Sequence, residues 1–384
     1  MEMDLIDYRN LPDTCMVKLT GKFRTKLFAN LTANHLAEIF PNSASSFKYY
    51  KRGASFIPIN LFKQLLTLHN FGDSEINKSI LETKKRLCGK PIRIKLPVYA
   101  SAKLAELVGH TFGDGHISKA GRFVYVNTSK DLLKRVAYLT NQILGHFTYH
   151  DYHRRKDGSV NIHYPSAVGE LLHVCGCVKG NKFKQDFDIP DWIKSGNHKI
   201  KSAFIRALFD DEGTVSPTRI AINMAKSVEL EWSLRKFFNS LIEILNCLNI
   251  RSGNVVICAR RKNKNGTTAI GLLFVICGLR ELSNFLDKIG FIHSVKQKKL
   301  KTLVSSFIQP NYHDGEAREI ILNSMTGLMS TKDVSKIIKR GVVNTRYHLT
   351  ILEKEGKLKK VVIHKSKWLW QLKDESKKQV TSPI

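Results

Sequence analysis

No Cys-x-x-Cys pair occurs in this chain, and its seven cysteines, at positions 15, 88, 175, 177, 247, 258 and 277, are odd in number and scattered. Neither a disulfide framework nor a zinc ribbon is indicated. Cys175-Gly-Cys177 comes nearest to a ligand pair and reads more readily as small core residues. No apolar run approaches the length of a membrane span, so no membrane partner is expected. Met1 to Asn10 carries acids and no long apolar stretch, which speaks against a secretory leader. The expectation is a soluble, cytoplasmic protein of a reducing compartment. No glycine-rich loop ends in Gly-Lys-Thr or Gly-Lys-Ser, so ATP use is not indicated. No Ser-His-Asp arrangement stands out from spacing.

Acids are also scarce. The chain holds 33 Asp plus Glu against 62 Lys plus Arg, a net charge of +29. The excess is spread along the chain rather than held in one tail. Distributed cations of this kind suit neutralisation of a phosphate backbone, so a nucleic acid is the expected partner. At 384 residues with 42% apolar side chains, two or three domains with real cores are expected.

The acids that are present fall in an informative place. Leu104-Ala-Glu-Leu-Val-Gly-His-Thr-Phe-Gly-Asp-Gly115 and Ala203-Phe-Ile-Arg-Ala-Leu-Phe-Asp-Asp-Glu-Gly213 each read as an apolar helix ending in a carboxylate followed by glycine. Asp114 and Glu212 stand 98 residues apart. Two such helices packed side by side would bring both acids to one point. Paired acids bind divalent metal, and divalent metal cleaves phosphodiesters. Small residues at Gly109 and Gly113 would let the partner helix approach closely, with Ala207 as the counterpart of Gly109 and Asp211 opposite Gly113.

The segments downstream of the two motifs are doubled too. Val124-Tyr-Val-Asn-Thr-Ser-Lys130 and Ile220-Ala-Ile-Asn-Met-Ala-Lys226 share apolar-x-apolar-Asn-x-x-Lys, and a helix is expected after each (132–144 and 230–248). Strand-then-helix segments ending in glycine recur at 162–176 and 274–290. The order α-β-β-α-β-β-α is therefore expected twice, with pseudo-two-fold symmetry. Alternation predicts Val124 and Val126 buried with Tyr125 and Asn127 free, and Ile220 and Ile222 buried with Asn223 free. Matched hairpins have basic tips, His153-Arg-Arg-Lys-Asp-Gly158 and Arg260-Arg-Lys-Asn-Lys-Asn-Gly266. They suit arms lying along a groove, or solvated loop charge. His146, His150 and His153 are close in sequence, with a loop edge as the default reading.

Two further units flank this core. In residues 1–98, Thr32 can cap a helix to Phe40 with His35 at the capping-box position, and a second helix is expected over 44–51. Either a helix-turn-helix or an ordinary αα-hairpin satisfies this pattern. Another helix is expected from Leu61 to His69. In residues 315–384, a capped helix from Ser330, a second helix over 343–355 stopped by Gly356, and two short strands resemble a winged helix. Asn344, Thr345, Arg346 and His348 are the expected exposed residues of that second helix, able to reach base edges.

The stretches Leu107-Val-Gly-His-Thr-Phe-Gly-Asp-Gly115 and Ile205-Arg-Ala-Leu-Phe-Asp-Asp-Glu-Gly213 resemble the paired motifs of the LAGLIDADG (dodecapeptide, DOD-type) homing endonucleases in their single-chain form. The resemblance covers 99–308, with repeats at about 99–195 and 196–308. It implies an α+β fold of tandem αββαββα repeats, with saddle-shaped sheets over the major groove of double-stranded DNA. It also implies a monomer that cleaves both strands with Mg2+, for which Mn2+ could substitute.

Carried onto this chain, the resemblance makes Asp114 and Glu212 the metal-binding acids, with the backbone carbonyls of Gly113 and Asp211 as added donors. It implies a catalytic lysine near each acid. Lys182 and Lys296 fit best, with Lys184, Lys298 and Lys299 as competitors. DNA contacts are expected from Tyr125, Asn127, Arg154, Arg155, Lys156, Asn223, Arg260, Arg261 and Lys262, besides the four residues of the C-terminal helix. A chain that begins Met1-Glu-Met and ends Thr381-Ser-Pro-Ile384 carries no splicing residues at those points, and a free-standing enzyme is expected. A non-catalytic DNA-binding regulator of the same fold and an RNA-binding intron maturase remain as alternatives.

Overall fold

The computed structural model describes residues 3–86, 89–145, 151–262, 266–307, 312, 315–364 and 367–373. Among these the chain is a mixed α+β protein of sixteen α-helices and several small sheets. None of the helices is long and apolar enough to cross a membrane.

Two buried helices form the centre. The first, Ala102–Phe112, starts where the Ser101 side chain accepts from the Leu104 backbone N–H. The second, His198–Glu212, starts where Asn197 accepts from Ile200. Leu104, Leu107, Val108 and Phe112 of one, and Phe204, Ile205, Leu208 and Phe209 of the other, are fully buried on all sides. Apolar faces of this breadth belong in an interior. Their backbones touch: a Cβ at Gly109 would lie 2.6 Å from the Phe204 carbonyl oxygen and 2.8 Å from Ala207 Cβ.

After each central helix the same order of elements recurs. Strands Gly115–Ile117 and Phe123–Asn127, helix Lys130–Leu144, strands Asp151–Arg154 and Val160–His163, and helix Ser166–Val174 complete the first half. Strands Gly213–Val215 and Arg219–Ser227, helix Glu231–Cys247, strands Val256–Lys262 and Thr268–Cys277, and helix Leu279–Lys288 complete the second. In both sheets the fourth strand of the half lies between the second and the third. The terminating glycines Gly176 and Gly290 sit at φ +97° and +61°, conformations open to glycine at little cost.

The strand register corrects the sequence alignment of the two halves. Gly115 pairs with Tyr125 and Gly213 with Ile222. Tyr125 therefore corresponds to Ile222, and Asn127 to Met224 rather than to Asn223. The burial phase of the first half is inverted as well. Phe123 and Tyr125 are fully buried while Val124 and Val126 are half-buried. Four consecutive apolar residues offer either phase, and the larger aromatic pair takes the inside, Phe123 stacking on Tyr164 at 5.0 Å. In the second half Ile220 and Ile222 point inward and Asn223 outward, as expected.

The N-terminal unit is not all-helical. A four-stranded antiparallel sheet in the order Ile57–Pro58, Cys15–Leu19, Ile80–Lys85, Ile92–Arg93 carries short helices. The Thr32 capping box with His35 and the helix Ala33–Ile39 form as expected. A 3-10 stretch, Pro41–Ser46, and then Phe47–Arg52 take the place of one helix over 44–51. The later helix is Ile59–Leu66. Position 98 falls inside the strand Val98–Tyr99, which pairs with Asp4–Ile6. One hydrophobic core runs from Ile6 to Leu303 without a break there. Lys85 reaches Glu170 of the first half at 2.8 Å, and Lys179 reaches the same carboxylate at 2.5 Å.

The C-terminal residues have a core of their own, built on Ile321, Val334, Leu349, Leu352 and Trp370. Helices Glu316–Ser324, Thr331–Ile337 and Val342–Lys354 precede the ribbon Leu358–His364 and Lys367–Leu372. Trp370 Nε1 donates to Thr331 Oγ1 at 3.0 Å, joining ribbon to helix.

Candidate functional site

Asp114 and Glu212 lie at the carboxyl ends of the two central helices, both half-buried. Burial pushes the Asp114 carboxyl up to about 7, and the nearby charges of Asp211 and Glu212 add to the rise. Burial also raises Glu212, against the pull of Lys182. Asp114 senses the charge of Glu212 in a partly desolvated place, which makes its ionisation costly. A hard cation relieves this, and carboxylate oxygens are the donors that Mg2+, Mn2+ and Ca2+ prefer. Among the described residues no three His, Cys, Asp or Glu side chains form a closed cage. Two acids with an open shell fit an ion that keeps water and phosphate oxygens as its remaining ligands.

Asp114 is tightly held. Asn127 Nδ2 donates to its Oδ2 at 2.8 Å, and its own backbone N–H donates to Asp211 Oδ2 at 3.2 Å. The Asp211 side chain is fully buried and crosses from the second helix into space that Gly113 leaves open. A Cβ at Gly113 would lie 2.5 Å from Asp211 Oδ2. Tyr125 Oη donates to Asp211 Oδ1 at 2.8 Å, and His110 Nδ1 lies 3.1 Å and 3.2 Å from the two oxygens. Although burial opposes it, the Asp211 charge raises the proton affinity of His110. Asp210 turns the other way and accepts from the backbone N–H groups of Ile292 and His293, while burial lifts its carboxyl to about 6.

Lys182 and Lys296 meet equivalent groups. Lys182 Nζ donates to the carbonyls of Thr111, Phe112 and Gly113 at 3.1, 2.8 and 2.6 Å. Lys296 Nζ donates to those of Phe209, Asp210 and Asp211 at 3.2, 2.5 and 3.4 Å. Burial lowers the proton affinity of both, and the surrounding acids oppose it. Lys184, Lys298 and Lys299 are exposed.

Beside the acids, a cavity of ≈ 310 Å3 is lined by Gly113, His116, Lys182, Glu212, Met224 and Lys226 among others. Lys226 is buried, with Nζ donating to the Gln185 carbonyl at 2.5 Å and Ser233 Oγ at 2.7 Å, and lying 3.7 Å from the Phe187 ring centroid.

Two of the expected DNA-contacting residues are corrected. Tyr125 is fully buried and serves Asp211 instead of facing a groove. Thr345 is also fully buried, its hydroxyl donating to the Gly341 carbonyl at 3.0 Å. Thr345, Leu349 and Leu352 make the inward stripe of their helix, so its outward residues are Val343, Arg346 and Tyr347, while Asn344 and His348 are half-buried. Asn127 is half-buried and points at Asp114. Arg155, Lys156, Asn223, Arg260, Arg261 and Lys262 are exposed. Arg154 ends the strand Asp151–Arg154, and its side chain lies outside the described residues, as do His146, His150 and the tip 263–265.

The sequence reading passed over the roles of His110, Asp210 and Lys226. One signal was present, the run Asp210-Asp211-Glu212, which has two more acids than the motif chemistry uses.

No family model matches the chain. It is 30% identical over 293 residues to the DNA-directed RNA polymerase subunit Rpo1N of Methanocaldococcus jannaschii, covering 68% of this chain and 20% of that protein. It is 26% identical over 216 residues to the tRNA-splicing ligase RtcB of Methanopyrus kandleri, covering 51% and 21%. The chain thus spans about a fifth of the length of these relatives. Structures of the homing endonuclease I-DmoI in complex with DNA and Mn, and with DNA and Ca, are similar at a TM-score of 0.33 each, with 17% and 16% identity. They cover 50% of this chain and 97% and 90% of theirs.

Proposed function

We propose that the chain is a site-specific, divalent-metal-dependent double-strand DNA endonuclease of the LAGLIDADG kind, with tandem repeats at 99–195 and 196–308. The observation that carries this reading is the pair Asp114 and Glu212 at the ends of two helices in backbone contact, each helix end held by a half-buried lysine. Asp114 and Glu212 would each hold a divalent ion, with the carbonyls of Gly113 and Asp211 as added oxygen donors. When bound, such an ion lowers the pKa of water and neutralises charge on the scissile phosphate.

The chain's own residues set the stage for this. Asn127 fixes the rotamer of Asp114. Lys182 and Lys296 supply positive charge beside the acids, where phosphate charge would grow in the transition state. The exposed Arg155, Lys156, Arg260, Arg261 and Lys262 on the two hairpins would track the DNA backbone, and Asn223 would reach base edges. Residues 1–98 and the winged-helix-like 315–384 act as accessory DNA-binding units of one monomer. On the latter, Arg346 is the leading contact.

The relatives fit this reading. A polymerase subunit and a tRNA-splicing ligase have no named activity in common, yet each shares with this chain a stretch of about a fifth of its length. A segment common to such different proteins is more readily a module with its own activity than a part of either.

Incubation with Mg2+ and a randomised duplex library tests the proposal, with Asp114→Asn and Glu212→Gln as controls. Breaks recovered in one family of sequences, and absent from both variants, are expected. Selective DNA binding without cleavage, unchanged in the variants, would instead indicate a regulator. Retention of RNA and not DNA would indicate a maturase.

A further inference from the structure

The two acids stand in unequal surroundings, although the elements that carry them are equivalent. Two pairs of equivalent positions create the difference. At the first, the register matches Asn127 to Met224, so Asp114 receives a side-chain hydrogen bond that an apolar thioether cannot give Glu212. At the second, Gly113 matches Asp211. The absence of a side chain at Gly113 admits the Asp211 carboxylate, which accepts the Asp114 backbone N–H at 3.2 Å. Among the described residues the Glu212 carboxylate has no such partners within the protein.

Asp211 is itself immobilised. Its side chain is fully buried, with Tyr125 Oη on one oxygen and His110 Nδ1 within hydrogen-bonding distance of both. His110 and Tyr125 pack edge-to-face with centroids 5.6 Å apart, so the partners of Asp211 brace each other. The groups that meet the Asp211 carboxylate, His110, Tyr125 and the Asp114 amide, all come from the first half. A carboxylate whose oxygens are filled in this way is a strut and not a free ligand.

We propose that Asp211 is a positioning residue that presets Asp114 and leaves Glu212 mobile, so that the two DNA strands are cut at unequal rates. The inference rests on the nuclease reading. A preset acid loses no time or orientation before the reaction, and misplacement of a reacting group by about 1 Å is enough to cost on the order of a hundredfold in rate. The half of the site that depends on Asp114 is therefore the faster.

The test uses the full chain and a supercoiled plasmid carrying a target recovered from the library, with each strand labelled separately. The wild type is expected to pass through a nicked circle in which one strand is cut preferentially. Asp211→Ala should slow that strand on the order of ten- to a hundredfold and leave the other nearly unchanged, so the ratio between strands moves towards one. Hydrogen exchange of the Asp114 amide, measured without metal or DNA, should be slow in the wild type and fast in the variant.

Equal slowing of both strands, an unchanged strand ratio, or an unchanged Asp114 amide would each overturn the proposal. Should Asp211→Ala fail to fold, Tyr125→Phe removes one brace from Asp211 and is expected to shift both readouts the same way by less. If the wild type cuts neither strand, the nuclease reading fails. The amide exchange still decides whether Asp211 holds Asp114.

Discussion

Lys296 stands to the second central helix as Lys182 stands to the first, each ammonium gathering three consecutive carbonyls at the end of its helix. A helix leaves its final carbonyls without intrahelical donors and gathers negative potential there. Each lysine answers both needs and remains beside an acid.

That double duty separates two measurable effects. Lys182→Met should lower single-turnover cleavage by on the order of a hundredfold, the size seen when a preorganised charge or donor is removed from a transition state. It should also lower the melting temperature, because three carbonyls lose a donor. Lys184→Met, changing an exposed lysine two residues on, should leave the melting temperature unchanged and cleavage nearly so. Calorimetry and single-turnover kinetics on the two variants check this.

Gly109 is a second point where a small change should have a large effect. A methyl group there would meet the Phe204 carbonyl oxygen and Ala207 Cβ inside contact distance. Overpacking of a dense interior costs about 1–3 kcal/mol, and here the obstacle is backbone. Gly109→Ala should lower the urea midpoint by a corresponding amount, and Gly109→Val should lower it further. Gly158→Ala provides contrast: its Cβ would meet nothing within 4 Å, and its φ of +83° is the sole source of cost.

Lys226 gives the stability a dependence on alkaline pH. Burial lowers its pKa to about 8 from the usual 10.5, with Asp186 pulling the other way. Between those two values the unfolded chain still holds a proton that the folded chain has released. Raising the pH through this window therefore favours the folded state. Relative to Lys226→Met, the wild type should gain stability as pH rises from about 8 to about 10 and show no such trend below about 7. Urea titrations of both proteins across that range are the measurement.

On the C-terminal helix, Thr345 and Arg346 should separate cleanly. Thr345→Ala removes a buried hydroxyl that donates to Gly341 and should cost about 1 kcal/mol of stability in that unit with DNA affinity unchanged. Arg346→Ala leaves the fold intact and should weaken DNA binding and reduce its salt dependence. Fluorescence anisotropy at several salt concentrations, alongside thermal melts, distinguishes the two.

The acids were legible in the sequence because a helical apolar pattern, a carboxylate and a glycine occur together twice. The order of elements in each half was legible from the same repetition. Other features depended on choices that local pattern leaves degenerate. Phe123, Val124, Tyr125 and Val126 are all apolar enough to face inward, so the phase was settled by packing against Tyr164 and by the bond from Tyr125 to Asp211. The apparent match of Asn127 with Asn223 failed because pairing opposite Gly115 and Gly213 sets the register, one residue away from the sequence match. The N-terminal sheet escaped notice because two of its four strands have only two residues, too short to alternate. Thr345 looked exposed because it is polar, but helix phase and a nearby carbonyl gave it an inward place.

The division of apolar cores has a consequence for how such a chain can change over time. Residues from Ile6 to Leu303 draw on one core, whereas Ile321 to Trp370 draw on another. A substitution at a buried apolar position of the first stretch acts on the same core that holds the central helices, and those positions are bound to a common history. The second stretch answers only to itself. A change in its buried residues acts on a core that the central helices do not share.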